Sequence, residues 1–172
     1  MRVEIVDARN SEAVIRNLFV PYMHELSDMA GLDVRGDGTF PFPPGLTTYW
    51  DGATGLPFLV SSDGKLAGFA LIRRLPAETA TYDMGEFFVL RRFRRSGMGR
   101  DVACRLFDRF AGNWEVRELP ANTPAQTFWR QIIRDYTGGD YRDRLEYFEA
   151  YRREFVVQRF RSRNVSSSPS SG

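Results

Sequence analysis

The sequence predicts an α/β (α+β) domain, a mixed sheet with helices on its faces, and three observations predict it. Polar and apolar residues alternate at the start of the chain, apolar runs flank Asp63-Gly64, and two later segments take up helical spacing after strand-like runs. In order the pattern reads βα(α)βββαβαββ, about seven strands in one domain over residues 1–162.

"RVEIVDA" is the first strand. Asn10 and Ser11 then offer cap oxygens to a helix whose apolar side runs Val14, Ile15, Leu18, Phe19 and Tyr22. Pro21 removes an amide donor and clashes with the preceding turn, so this helix should kink or restart near "PYMHELSDMAG", bringing the total to about four helices. Residues 31–47 hold four Gly, three Pro and no periodicity, the composition of a long ordered loop or lid.

"PFLVSSDGKLAGFALIRRL" is a hairpin, because Asp63-Gly64 tolerates the positive φ of a tight turn. The strand "TYDMGEFFVL" follows, then a helix with Val102, Ala103, Leu106, Phe107 and Phe110 on one side, ended by Gly112. "WEVREL" is the next strand. In the helix after it, Thr123 and Gln126 have capping-box spacing, Pro124 suits the first position, and Ala125, Phe128, Trp129, Ile132 and Ile133 form the buried side. Two strands near 144–151 and 154–160 close the fold, and the serine-rich tail 163–172 is expected to be disordered.

The 172 residues carry a formal charge of +2, with 23 arginines and one lysine, Lys65. That near-neutral balance argues against a nucleic-acid coat. The lone Cys104 cannot close an internal disulfide, which points to the reducing cytoplasm. No stretch approaches the roughly 20 apolar residues of a membrane span. One His and one Cys make no zinc set, so no metal is expected.

Chemistry concentrates in "FFVLRRFRRSGMGRDVACRLF", residues 87–107. A glycine turn between a strand and a helix leaves amides unpaired where the helix dipole favours an anion. Arg91, Arg92, Arg94, Arg95 and Arg100 add charge suited to phosphate. A P-loop would need Gly-Lys-Ser/Thr, whereas the only lysine lies in a hairpin turn. A dinucleotide fold would need a third small residue where Val102 stands. Coenzyme A remains.

"RRSGMG" (94–99), with "FFV" (87–89) before it, resembles the acetyl-CoA-binding signature of the GNAT N-acetyltransferase superfamily. The resemblance runs from about residue 57 to 136 and includes "NTPAQTFW", similar to that superfamily's Asn-x-x-Ala-x-x-aromatic helix start. It implies a mostly antiparallel sheet with two splayed parallel central strands and acetyl-CoA as cosubstrate. Phe88 and Val89, following Phe87, would offer backbone groups to the pantetheine arm. The amides of Arg95, Ser96, Gly97, Met98, Gly99 and Arg100, next to Arg94, would hold the pyrophosphate, with Asn122 and Trp129 lining the cofactor.

Acetyl transfer to an amine needs a base, since an alkylamine is mostly protonated at neutral pH. Glu86 is the first candidate and Asp83 the second, with Glu115 and Glu118 behind them. Alternation sends 83 and 86 to opposite faces unless a bulge intervenes. Where many members have a tyrosine that protonates the leaving thiolate, this chain has Trp129, so Tyr136 or Tyr141 is the alternative acid. The resemblance places the substrate wall around Tyr22, His24, Phe40 and Tyr49, within an aromatic and acidic set suited to a cationic small-molecule amine. A homodimer is a further expectation.

Overall fold

The computed structural model describes residues 1–163, so the expected tail lies, from 164 onward, outside the described residues. Seven strands form one sheet: β1 (Val3–Asp7), β2 (Gly55–Ser62), β3 (Lys65–Arg74), β4 (Thr81–Val89), β5 (Asn113–Glu118), β6 (Tyr141–Phe148) and β7 (Arg153–Arg161). Their order is β1-β2-β3-β4-β5-β7-β6. Only β4 and β5 run parallel, and their pairing covers Thr81 to Met84 against Asn113 to Val116 before it stops. β4 continues to Val89 and β5 to Glu118 beyond it, so the two strands part at the centre of the sheet.

Three α-helices stand among the described residues, α1 (Glu12–Ala30), α2 (Met98–Arg109) and α3 (Thr123–Thr137), with short 3-10 turns at Leu46–Trp50, Arg91–Phe93 and Glu149–Tyr151. The expected break at Pro21 is absent: α1 runs through it for 19 residues. A mid-helix proline costs about 3 kcal/mol. Buried Ile15, Leu18 and Phe19 before it and Met23 after it hold both halves on the sheet and offset that cost. Val14, expected on the buried side, is exposed, and the Ser11 side chain makes no cap bond.

The β2–β3 turn is as expected, with Asp63 at φ 49° and Gly64 at φ 74°. The start of α3 differs. Asn122, not Thr123, is the cap, and its Oδ1 accepts from Ala125 N–H at 3.2 Å. Gln126 instead donates to the carbonyls of Leu119 and Pro120. The final hairpin begins at Tyr141, earlier than expected, and its turn is the 3-10 segment Glu149–Tyr151.

Each face of the sheet has its own core. Under α2 and α3, Phe107 meets Trp114 and Phe160 edge-on at 4.9 Å. Under α1, Phe19 stacks on Phe69 at 4.9 Å, and buried Leu46 and Tyr49 anchor the end of the 31–47 loop there.

Candidate active site

The glycine turn follows β4 directly. Arg95 (φ 60°) and Gly97 (φ 82°) take left-handed conformations, and Gly97 is the cap of α2. No described residue accepts from the backbone N–H groups of residues 95 through 100. Six consecutive donors at a helix N-terminus make a cradle for a polyanion. Gly99 is closely packed, since a Cβ there would lie 3.1 Å from the Phe128 ring, which would have to give way. Met98 is buried in the core, which leaves only its amide for binding.

The arginines divide the work. Arg91 and Arg94 pair with Glu25, and Arg100 with Asp135. Arg92 and Arg95 have no carboxylate partner among the described residues. Arg94 also donates from Nε to Val89 O at 2.6 Å, tying the loop back to its strand.

The strand itself presents backbone to the gap. Leu90 N–H donates to Ala67 O, and Gly68, Phe69 and Ala70 oppose Val89, Phe88 and Phe87. Bonded and non-bonded pairs alternate in an antiparallel ladder, so Phe88 directs its N–H and C=O to β3. Phe87 and Val89 turn theirs toward the gap left by β5. Phe87, not Phe88, is therefore the partner of Val89 there, which corrects the sequence expectation.

A bulge sets the faces of β4. Leu71 opposes Glu86 and Ile72 opposes Met84, so Gly85 is the extra residue. The inserted residue brings Asp83 and Glu86 onto the same face, the one under α1. Gly85 has no room for a side chain, since a Cβ would fall 1.8 Å from the Tyr49 hydroxyl.

Four elements converge on Glu86 and Asp83. From α1, the Tyr22 hydroxyl donates to Glu86 Oε2 at 2.6 Å. Tyr49 closes over Gly85 from the end of the 31–47 loop. Asp83, fully buried, accepts on Oδ2 from Arg73 of β3 at 3.1 Å and from Arg117 of β5 at 2.6 Å. Arg117 in turn lies over the rings of Phe148 (5.0 Å) and Tyr151 (5.5 Å).

Burial pushes the Glu86 carboxyl up to about 7, and the Asp83 charge adds to that, while the Tyr22 hydrogen bond, Arg73 and Arg117 pull the other way. Burial also raises the hydroxyls of Tyr22 and Tyr49, so both stay protonated donors. A carboxylate that is partly exposed and titrates near neutrality is suited to accept a proton from a bound ligand.

The chain matches the acetyltransferase (GNAT) family over residues 17–132, a span that holds the amide cradle, the parting strands and Glu86. It belongs to the GNAT acetyltransferase family. No curated protein matches the chain by sequence. An acetyltransferase from Thermus thermophilus shares the fold at 13% identity and TM-score 0.64, covering 94% of this chain and 97% of that one. A Bacillus subtilis acetyltransferase in complex with CoA does so at 13% identity and TM-score 0.55, over 93% and 97%. The ribosomal-protein-S18-alanine N-acetyltransferase of Escherichia coli matches at 12% and 0.57, over 99% and 100%.

In this GNAT chain the structure gathers Tyr22 and Tyr49 around Glu86 but separates other expected residues from it. Tyr136 lies on the opposite face of the sheet against Phe107, donating to Asp108 Oδ1 at 2.6 Å. Burial raises its hydroxyl as well. Trp129 packs on Phe87 and Phe128 at 5.0 Å each. Asn122 caps α3, and exposed His24 lies beside Phe40 at 6.3 Å between ring centres. Glu115 is paired with Arg159 at 2.7 Å, and Glu118 is buried on the α3 face. Sequence reasoning missed Arg73, Arg117 and Tyr151. An arginine opposite a strand aspartate was a readable signal for Arg73, but nothing local announced that the last hairpin would bring in Tyr151.

Proposed function

We propose that this GNAT protein transfers the acetyl group of acetyl-CoA to the primary amine of a small molecule by direct attack. The observation that carries the reading is Glu86, turned by the Gly85 bulge onto the Tyr22 and Tyr49 side, three positions before the gap-facing backbone of Val89. The cofactor fits the residues present: the amides of 95–100 would hold its pyrophosphate, and Phe87 and Val89 would bind its amide-bearing arm. Acetyl-CoA supplies an acyl group activated as a thioester.

Glu86 accepts the proton that the amine must lose, and the Tyr22 hydroxyl holds the carboxylate oriented. The new C–N bond forms as the C–S bond breaks. A thiol with a reference value of about 8.5 leaves as thiolate without a dedicated acid, in keeping with the remote position of Tyr136. Val89 N–H is the donor we assign to the acyl oxygen.

Tyr49, from the turn that ends the 31–47 loop, packs over Gly85 beside Glu86, which supports a small acceptor. The second reading, a peptide amine, draws on an open groove of about 280 Å³ between Met29, Leu119 to Ala121, and Arg153 and Glu154. Pairing of three loop arginines with carboxylates supports a phosphate-sized ligand over nucleic acid. No helix of the described residues is long and apolar enough to cross a membrane, and the single, partly buried Cys104 supports a cytoplasmic setting.

A thiol-release assay with acetyl-CoA and matched panels of small amines and peptides tests the reading. Turnover confined to peptides selects the second reading. Cofactor binding without turnover of either panel makes the protein an acyl-CoA sensor instead.

A further inference from the structure

One turn of α1 reaches the end of β4 twice. Tyr22 donates to Glu86 Oε2 at 2.6 Å, and Glu25, one turn further on, accepts from Arg94 Nη2 at 2.7 Å and from Arg91 Nε at 3.1 Å. Arg94 carries that contact back to the strand, because its Nε donates to Val89 O at 2.6 Å. The peptide between Val89 and Leu90 is thereby held from both sides, its carbonyl by Arg94 and its N–H by Ala67 O at 2.8 Å. Between the two contacts lies the buried Phe88 ring, 5.3 Å from the ring of Tyr22 and 5.6 Å from the guanidinium carbon of Arg94.

We propose that Glu25 is a positioning residue for acetyl transfer, acting through Arg94 to fix Val89; the role rests on the acetyltransferase reading above, in which Val89 N–H meets the acyl oxygen. Nε and Nη2 form one edge of the guanidinium fork, the kind of edge that grips a phosphate with two parallel bonds. Here that edge is closed, with one bond to the strand and one to α1, so Arg94 serves geometry rather than charge. The Glu25 side chain is only 20% exposed, against 78% for Arg91, so the Arg91 pair is the screened one and adds little. Freeing both arginines from Glu25 would put positive charge beside the amide cradle, but largely in water, where salt screens it. It would also release a loop that holds Arg95 at φ 60°, a conformation that persists only where the surroundings impose it. The loss of position outweighs the gain in charge. One turn of α1, through Tyr22 and Glu25, thus holds the proton acceptor Glu86 and the donor Val89 in fixed relation.

Two acetyl donors separate this role from a phosphate contact: acetyl-CoA, and S-acetylpantetheine, which keeps the thioester and the amide-bearing arm but has no pyrophosphate. With an amine that the unaltered protein accepts, Glu25→Ala lowers kcat/KM by about tenfold or more with both donors. Arg94→Lys does the same, because an ammonium keeps the charge but cannot bond Val89 O and Glu25 in the geometry of the fork. The two changes together are no worse than either alone, since both break one chain of contacts. Amide hydrogen exchange of the ligand-free protein reads that chain without any donor: Leu90 N–H exchanges about tenfold faster in Glu25→Ala, with an unchanged circular dichroism spectrum. A rise in acetyl-CoA turnover on Glu25→Ala, a loss confined to acetyl-CoA, full activity in Arg94→Lys, or unchanged Leu90 exchange overturns the proposal. Absent turnover by the unaltered protein overturns the acetyltransferase reading and this role with it, a failure told apart from the others because it precedes any substitution.

Discussion

Tyr22 and Glu86 lie 64 positions apart in the chain, yet the tyrosine hydroxyl donates to Glu86 Oε2 at 2.6 Å. The bond couples α1 to the middle of β4 and settles which way the carboxylate leans. It favours the ionised form, against a burial that favours the neutral one. The balance puts the Glu86 carboxyl at about 7.

With Glu86 as base, kcat/KM rises with pH through about 7. Tyr22→Phe removes a hydrogen bond made to the ionised form, so the midpoint moves upward. A bond worth about 1 kcal/mol corresponds to a shift of about 0.7 in pH. A pH–rate profile checks this, and a midpoint that falls contradicts it.

Glu86→Gln keeps the shape and the Tyr22 contact but cannot take up a proton. It should lower kcat by about 10²- to 10⁴-fold while acetyl-CoA affinity, measured by calorimetry, stays within about twofold. Unchanged turnover would move the base elsewhere.

Gly97→Glu puts a side chain at φ 82° and a negative charge beside the six donors of the cradle. Acetyl-CoA binding should weaken by about 100-fold or more, the effect of about 3 kcal/mol. The cost to the fold should be limited to the strain of a side chain at positive φ, because a Cβ at this position meets nothing within 4 Å; circular dichroism checks that the variant is folded.

Asp83→Asn leaves Arg73 and Arg117 sharing a neutral amide. Breaking a buried ion cluster this way costs about 3–5 kcal/mol, readable by urea unfolding. The Asp83 charge helps raise Glu86. Its loss should therefore move the midpoint of the rate profile below 7, opposite in direction to Tyr22→Phe.

Glu118 is buried beside Gln158 on the α3 face, and burial pushes its carboxyl up to about 8. The folded protein keeps this proton over a range where the unfolded chain, titrating near 4.3, has lost it. Its contribution to stability is greatest below about 4.3 and declines as pH rises to about 8. Glu118→Gln should flatten that decline and raise Tm above pH 8, measured by calorimetry across pH.

Local chemistry determined much of this protein. Asp63-Gly64 specified a hairpin turn because few dipeptides accept two positive φ angles in succession, and the glycines at 97 and 99 marked the cradle because backbone amides there must stay open. These signals lie within a few residues of what they build, so they are legible without the fold. Pro21 shows the limit, since its local penalty was outweighed by apolar contacts from distant strands.

Only the tertiary structure decided the surroundings of Asp83 and Glu86. Whether Asp83 and Glu86 share a face turned on one inserted residue in β4, set by pairing with β3. The partners of Glu86 come from α1 and the end of the 31–47 loop, and those of Asp83 from β3 and β5. The carboxyl's proton affinity depends on burial and on charges that no contiguous stretch of sequence contains. Short-range backbone preference wrote the amide cradle into one segment, whereas long-range packing and electrostatics assembled the surroundings of Glu86.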